Sequence, residues 1–141
     1  HGREEGRDLH ARLVDQAKRQ YEFGDVNNNY AVEALSCYAV LQVYKDDVSL
    51  HLKLGDNLRH LAWFKDSEDA YRQALELDPE SAVIYSNLAF IRQVTFNKQE
   101  ALPLYQQALE RIKPGEEGLK IQIERQISSV QETLDFIARV G

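Results

Sequence analysis

The sequence of 141 residues is poor in the residue types that cross-link or interrupt a chain. It has no methionine, one cysteine (Cys37), one tryptophan, three prolines and seven glycines. A single cysteine cannot form an internal disulfide, so the chain suits a reducing compartment and we expect a cytoplasmic protein. Few prolines and glycines argue against collagen-like, linker and disordered sequence. Because the chain begins at His1, we expect it to be a processed or excised piece.

Long apolar runs and an excess of positive charge are also missing. No apolar run approaches the ~20 residues that cross a bilayer, so we expect no membrane span. The 17 basic and 23 acidic residues give a net charge of −6. Binding of phosphate groups needs a positive field, so this balance argues against a nucleic-acid partner. The 43% of hydrophobic residues permits a packed core, and the length predicts a single domain over 1–141.

An internal repeat of 34 residues is present in the middle of the chain. The hexapeptide YRQALE at residues 71–76 recurs as YQQALE at 105–110, with five of six positions identical. Each copy holds two runs in which apolar residues recur three and four apart, which predicts a pair of helices. A hairpin of this length cannot bury its apolar stripes alone, so it has to stack on neighbours.

The apolar periodicity predicts an all-α chain of seven helices without strands. The helices are expected at about 5–23, 30–44, 48–61, 66–77, 81–94, 99–112 and 116–139. Asp47 and Ser81 are expected to cap the third and fifth helices. The stripes predict burial of Ala74 and Ala108, where helices approach closely. The apolar stripes also include residues near the predicted helix ends, which are therefore expected to be buried, namely Tyr21, Val43, Leu77, Val94 and Ile137.

The repeat resembles the tetratricopeptide repeat, a 34-residue helical hairpin, over residues 48–115. The matching positions are Gly55 and Ala89, Tyr71 and Tyr105, Ala74 and Ala108, and Pro79, with Pro114 one residue late. His51 departs from the family, which favours tryptophan at that position, whereas Tyr85 fits it. The resemblance implies a right-handed helical-hairpin solenoid with repeats at 48–81 and 82–115. A degenerate repeat is expected at 9–46 and a capping helix at 116–139.

The same resemblance implies a non-enzymatic module that binds a protein or peptide segment. In this family the first helices of successive hairpins line a concave groove. The residues expected to line it are Lys53, Asp56, Arg59, Ser86, Asn87, Phe90, Gln93 and Lys18. We expect the strongest of these contacts at Asn87 and Phe90 with Lys53, Asp56 and Arg59. All five are expected at the surface, so that their replacement by alanine leaves stability within about 0.5 kcal/mol.

One specialised use of such grooves is disfavoured by the sequence. Some tetratricopeptide domains hold the carboxylates of a chaperone tail with lysine and asparagine side chains. Here Leu52 and Asp56 stand where that clamp needs lysine and asparagine, and an aspartate repels a carboxylate. The alternative to groove binding is self-association into a homo-oligomer through the long final helix or an edge of the stack.

No catalytic, metal or cofactor site is expected. His51 and His60 are nine residues apart and point in opposite directions on one helix, so they do not converge as zinc ligands. Cys37 lies among apolar residues, which favours a buried, unreactive thiol over a nucleophile. Trp63 has two open interpretations, as a wedge between helices or as an exposed contact for a partner. An enzyme would need its chemistry on other parts of a longer polypeptide.

Overall fold

The computed structural model describes residues 2–22, 29–95 and 97–141, with side chains from Asp8 onward. These residues form seven helices and no strand: α1 (Gly2–Glu22), α2 (Tyr30–Leu41), α3 (Val48–His60), α4 (Phe64–Leu77), α5 (Ala82–Val94), α6 (Lys98–Glu110) and α7 (Glu117–Val140). Every boundary lies within three residues of its predicted place, which confirms the all-α interpretation. The degenerate repeat expected at 9–46 includes residues 23–28, which fall outside the described residues.

The helices fall into two compact units. The first unit, His1–Leu77, contains α1 to α4, and the second, Asp78–Gly141, contains α5 to α7. In the first unit α2 packs on α1 and α3, and α3 packs on α4; in the second α6 packs on α5 and α7. Each helix thus contacts mainly its neighbours along the chain, which is the pattern of hairpin repeats. None of the described helices combines the length and apolarity needed to cross a membrane.

Two helix starts are fixed by side-chain caps, as predicted. The carboxylate of Asp47 accepts a hydrogen bond from the backbone N–H of Leu50 at 3.1 Å. The hydroxyl of Ser81 accepts one from the N–H of Ile84 at 3.3 Å. Each cap satisfies an N–H that has no partner inside the helix, which stabilises the start of α3 and of α5 by about 1 kcal/mol.

In the turn between α3 and α4, an alanine adopts a backbone conformation that is usually taken by glycine. Ala62 has a φ of 62°, in the left-handed region where glycine is normal. Its N–H donates to the carbonyl of Arg59 at 2.9 Å, and the N–H of Trp63 donates to the carbonyl of Leu58 at 2.9 Å. These paired bonds close the C-terminus of α3 in a Schellman arrangement without a glycine.

The two helices of this hairpin are in close contact at Gly55. A Cβ atom at this position would lie 2.5 Å from Cε1 of Tyr71, so the aromatic ring lies directly on the α3 backbone. Beside it the buried hydroxyl of Ser67 donates a 2.7 Å hydrogen bond to the carbonyl of Gly55. The small residue on α3 and the aromatic residue on α4 therefore form one packing contact.

Each unit has its own apolar core. Buried residues of the first core come from all four helices, and they are Leu13, Ala31, Ala34, Cys37, Leu41, Leu54, Leu58 and Ala70. The second core joins α5, α6 and α7 through Ala89, Ala101, Tyr105, Ala108, Ile123 and Val130. Ala74 and Ala108 are fully buried, which confirms the prediction that helices approach closely there.

The prediction that the apolar stripes are buried is wrong at the ends of the stripes. Tyr21 is 89% exposed, Val43 74%, Ile137 51%, Val94 41% and Leu77 39%. Four of them lie in the last turns of their helices, and Val43 follows the end of α2 at Leu41. A helical periodicity continues to the end of a segment, but burial needs an opposing side chain, and at these positions the packing is incomplete.

Leucine in place of Ala74 or Ala108 is expected to lower the free energy of unfolding by about 1–3 kcal/mol, because both side chains are fully buried and a larger one overpacks the core. The control is Ala39→Leu, an exposed position on α2 where the same change is expected to stay within about 0.5 kcal/mol. Thermal melting followed by circular dichroism measures all three variants. Unchanged melting of both core variants would contradict the close approach of the helices.

The contact between α1 and α4 could not be predicted from the repeat pattern. Arg12 donates two hydrogen bonds to the carboxylate of Asp66, at 2.7 and 2.8 Å. Its guanidinium also lies 5.1 Å from the ring centre of Trp63, and it binds Asp8 one turn earlier at 2.9 Å. The hydrogen bond to Asp66 is the main cause that raises the pKa of Arg12. Trp63 is half-buried against the first core, which favours the wedge over the exposed contact.

Candidate functional site

On α3, three of the predicted groove residues share one face. At 100° per residue, Lys53, Asp56 and Arg59 point away from the side that buries Leu54 and Leu58. Lys53 is exposed, whereas Asp56 and Arg59 are half-buried. Of the three, only Lys53 is therefore exposed without also packing against its own hairpin.

Asp56 and Arg59 are held by the tyrosine of the same hairpin. The hydroxyl of Tyr71 donates a 2.5 Å hydrogen bond to Asp56, and Nε of Arg59 donates to that hydroxyl at 3.3 Å. Arg59 also approaches Asp56 to 3.8 Å. Burial of the ring, with the bond to Asp56 second, raises the pKa of Tyr71 well above its ordinary value. These two charged side chains thus have a structural role, and we no longer expect their replacement to be neutral for stability.

The second unit repeats this arrangement with uncharged groups. The hydroxyl of Tyr105 donates a 2.5 Å hydrogen bond to Oε1 of Gln93, which precedes it by the same 12 residues that separate Arg59 from Tyr71. The amide of Gln93 then donates to Oε1 of Gln126 on α7 at 2.8 Å. Burial raises the pKa of Tyr105 as well. Gln93 therefore links α5, α6 and α7 and is not a freely exposed groove residue.

The remaining predicted residues of the second unit lie on α5. Ser86, Asn87 and Phe90 are all half-buried, and they lie within about 100° of one another on α5, with a mean direction about 130° from that of Ile84 and Leu88. This face also carries Gln93, so α7 borders it through Gln126. The arrangement offers an amide, a hydroxyl and an aromatic ring on one helix face, a set that can hydrogen-bond a peptide unit and cover apolar area.

Lys18 lies apart from the other candidates of the first unit. It is exposed on α1 and lines a shallow depression of about 310 Å³. The other walls of that depression come from α1 and from Leu35 of α2, and none comes from α3. This depression thus involves none of the candidates on α3, and the place of Lys18 in the groove stays a prediction.

The side chains that could bind a metal or act as a nucleophile, namely His51, His60 and Cys37, do not come together in one site. Within 8–22, 29–95 and 97–141 no three His, Cys, Asp or Glu side chains converge on a possible metal site. His60 stacks on Tyr30 with ring centres 4.5 Å apart, and His51 bonds the carbonyl of Lys45 at 2.8 Å. Cys37 is 4% exposed, and desolvation raises the pKa of its thiol, which makes it a poor nucleophile as expected.

Sequence reasoning missed the tyrosine hydroxyls and Gln126. Tyr71 and Tyr105 were assigned to the core because their rings fit the apolar stripe, and the rings are indeed buried. A buried tyrosine usually finds a hydrogen-bond partner, which is the signal that could have directed attention to residues 12 positions earlier. Gln126 borders the apolar stripe of α7 and is half-buried, and nothing in the sequence shows which side chain it meets.

Comparison with known proteins gives structural matches only. No protein-family profile matches the sequence, and no curated protein matches it either. The type III secretion chaperone SycD of Yersinia enterocolitica, solved with a peptide of the translocator YopD, has 18% identity and a TM-score of 0.67, over 89% of this chain and 95% of that one. A second SycD crystal structure, described as an alternative dimer, has 18% identity and a TM-score of 0.68, over 89% and 94%.

PcrH, a protein known from Pseudomonas aeruginosa, has also been solved with the chaperone binding region of PopD. It has 16% identity and a TM-score of 0.67, over 90% of this chain and 94% of PcrH. These proteins are helical-repeat proteins of the tetratricopeptide type. At such low identity the matches establish the fold, and they confirm the predicted tetratricopeptide-like arrangement of helical hairpins.

Proposed function

We propose that this chain is a non-enzymatic protein-interaction module that binds a segment of a partner protein through the first helices of its hairpins. The observation that carries the proposal is the match, along nearly the whole chain, to chaperones solved with partner peptides bound. The proposal places the binding surface on the faces of α3 and α5 that point away from their own cores. Those faces carry Lys53 in the first unit and Asn87 with Phe90 in the second.

Asn87 and Phe90 are the residues we assign to the partner in the second unit. An asparagine amide both donates and accepts, so it can satisfy the N–H and the C=O of an extended peptide. Phe90 lies one turn further along the same face of α5 and offers apolar area to a side chain of the partner. Lys53 would contribute a charge that favours an acidic residue in the segment that binds the first unit.

Tyr71 and Tyr105 hold side chains of these surfaces in place through their hydroxyl groups. Tyr71 holds Asp56 and Arg59 against the α3–α4 hairpin, and Tyr105 holds Gln93 in place between three helices. Side chains that are already ordered lose less conformational entropy when a ligand binds. We therefore assign Asp56, Arg59 and Gln93 to the positioning of the surface and only secondarily to direct contact.

The double variant Asn87→Ala/Phe90→Ala tests this assignment. The full chain is used as bait, a captured segment is synthesised as a peptide, and its Kd is measured by calorimetry. Truncation of a well-buried contact residue costs about 1–3 kcal/mol, so loss of both is expected to weaken binding by at least about thirtyfold. Because Phe90 is half-buried, both proteins are compared well below their own melting temperatures.

The matched control is Asn97→Ala/Phe136→Ala, which removes the same two residue types elsewhere. Asn97 is exposed and makes no capping hydrogen bond with its side chain, and Phe136 is 59% exposed on α7. We expect this control to keep the Kd of the peptide within about twofold, as for surface changes outside an interface. Equal binding by the Asn87→Ala/Phe90→Ala protein and the original protein would refute the proposed surface.

Self-association is the second candidate, and the end of α7 favours it. The predicted stripe of α7 is largely used inside the second unit, where Ile123 and Val130 are buried. However, Phe136, Ile137 and Val140 remain 59%, 51% and 68% exposed within two turns. Light scattering over a tenfold range of concentration decides this point. A dimer that dissociates in the Asn97→Ala/Phe136→Ala protein, together with unimpaired peptide binding by the Asn87→Ala/Phe90→Ala protein, would favour assembly over peptide binding.

A further inference from the structure

A chain of hydrogen bonds in the second unit runs from Tyr105 to Gln126. The hydroxyl of Tyr105 donates to Oε1 of Gln93 at 2.5 Å, and the side-chain nitrogen of Gln93 donates to Oε1 of Gln126 at 2.8 Å. Each of the two amides thus accepts through its oxygen. The last donor of the chain is therefore the side-chain nitrogen of Gln126, which carries two N–H groups.

The direction of these hydrogen bonds is fixed by the hydroxyl of Tyr105. Tyr105 is 1% exposed, and among the described residues its hydroxyl has Gln93 as its partner. If both amides were turned over, the hydroxyl would have to accept, and its own proton would be buried without an acceptor, which costs free energy. The oxygen of Gln126 therefore faces Gln93, and the nitrogen of Gln126 is left for another partner.

The nitrogen of Gln126 has no acceptor within the part of the chain that the structure describes. It does not belong to the buried side-chain atoms that lack a partner, so it is accessible to solvent. Gln93, to which Gln126 is bound, follows Phe90 on α5 by three residues, which is about 4.5 Å along the helix and about 60° around it. The unused donor therefore lies at the border of the α5 face that we assign to the partner segment.

Uncharged residues surround this donor on both helices. At 100° per residue, no residue of α7 within about 60° of Gln126 is charged. The one charged residue of α5, Arg92, lies about 160° from Phe90 and pairs with Glu100 at 3.1 Å. Lys98 of α6 uses its ammonium group on the backbone carbonyl of Gln93 at 2.8 Å.

The uncharged surface indicates the kind of acceptor that the donor suits. A carboxylate that leaves water needs an opposite charge to offset the loss of its hydration, whereas a backbone carbonyl needs only a hydrogen bond. The α3 face of the first unit is different, since it carries Lys53, Asp56 and Arg59. An amide donor in an uncharged surface is therefore suited to a peptide carbonyl.

We propose that Gln126 donates a hydrogen bond to a backbone carbonyl of the partner segment on α5, so that α7 forms the second side of this binding surface. The inference rests on the proposed function and adds a contact to it. Tyr105 and Gln93 are positioning residues, because they hold the oxygen of Gln126 and leave its nitrogen for the partner. With Asn87 on α5, the second unit then binds an extended, uncharged stretch of the partner through its backbone.

Gln126→Glu in the full chain tests this contact with the same synthetic peptide that is used for the Asn87→Ala/Phe90→Ala protein. Glutamate keeps an oxygen that accepts from Gln93 but has no N–H, so the Kd is expected to rise about tenfold while the melting temperature stays nearly the same. The loss is expected to persist at high salt, where repulsion by the new charge is screened. Gln131→Glu makes the same change at an exposed site about 140° away on α7, and it is expected to keep the Kd within about twofold.

The side-chain N–H groups of Gln126 also report the contact directly in the ¹⁵N-labelled original protein. Their signal is assigned by its absence from the Gln126→Glu protein, or from a Gln126→Ala protein if the glutamate variant does not fold. The peptide is expected to shift one of the two protons in a saturable way. An unshifted signal at saturation, an unchanged Kd of the folded Gln126→Glu protein, or a loss of binding that disappears at high salt would each overturn the proposal.

Tyr105→Phe tests whether the hydroxyl positions Gln126. Without it the two amides can turn over, so binding is expected to weaken by about threefold in the original protein and by no further factor in the Gln126→Glu protein. An equal loss in both proteins would show that Tyr105 acts on stability alone and would overturn its positioning role. If Asn87→Ala/Phe90→Ala weakens binding and Gln126→Glu does not, the contact of Gln126 is refuted and the α5 surface stands. If neither changes the Kd, the proposed surface is refuted together with this contact.

Discussion

Replacement of Gly55 by alanine is expected to destabilise the protein by about 3 kcal/mol, the upper end for an overpacked core. One added carbon would lie 2.5 Å from Cε1 and 2.6 Å from Cδ1 of Tyr71. That ring is fully buried, and its hydroxyl is tied to Asp56 and Arg59, so it cannot move away at low cost. The α3 backbone therefore has to shift, which disturbs the whole hairpin.

Gly118→Ala is the matched control for this change. Gly118 also lies in a helix, α7, but a Cβ atom there meets nothing within 4 Å. Alanine is favoured over glycine in a helix by up to about 1 kcal/mol, so this variant is expected to melt at the same or a slightly higher temperature. Denaturant unfolding followed by circular dichroism compares both variants. A Gly55→Ala protein as stable as the Gly118→Ala protein would show that Tyr71 does not pack on α3 as described.

This contact also shows why the fold was predictable from the sequence. A small residue in the first helix and an aromatic residue in the second recur 34 residues apart, as Gly55 with Tyr71 and Ala89 with Tyr105. Both features are visible as residue size and spacing, and helix positions depend on the same periodic signal. The caps at Asp47 and Ser81 were likewise recognisable, because a cap depends only on the side chain at the helix start.

The site was less predictable, because its details depend on which side chains meet across helices. The face of α3 that carries Asp56 followed from the helical period, but the hydrogen bond from Tyr71 depends on the depth at which the ring lies. The same holds for Gln93 and Gln126, which come together only when α7 lies beside α5. The place of Lys18 in the groove stays a prediction, because the register of the first repeat could not be fixed from its sequence. A contact between polar residues of different helices produces no periodic pattern in the sequence.

The contact of Arg12 with Asp66 is a further example of this limit. The two residues are 54 positions apart, and neither belongs to a repeated motif. Once formed, the paired hydrogen bonds fix α1 against α4.

The largest loss of stability is expected for Tyr105→Ala. The ring is 1% exposed and packs between α5, α6 and α7, so its removal is expected to cost about 3–5 kcal/mol. Tyr105→Phe keeps the ring and removes only the hydroxyl that binds Gln93, for which we expect a loss of about 1 kcal/mol. Comparison of the two variants separates the contribution of packing from that of the hydrogen bond.

Tyr44→Ala is the control for the same chemical change at an exposed site. Tyr44 follows α2 and is 65% exposed, so its truncation is expected to stay within about 0.5 kcal/mol. Denaturant unfolding gives all three free energies under one set of conditions. If Tyr105→Ala lost no more stability than Tyr44→Ala, the ring would not be part of a packed core. The link that Gln93 makes between α5, α6 and α7 would then have no support, and with it the assignment of Gln93 as a residue that positions the binding surface.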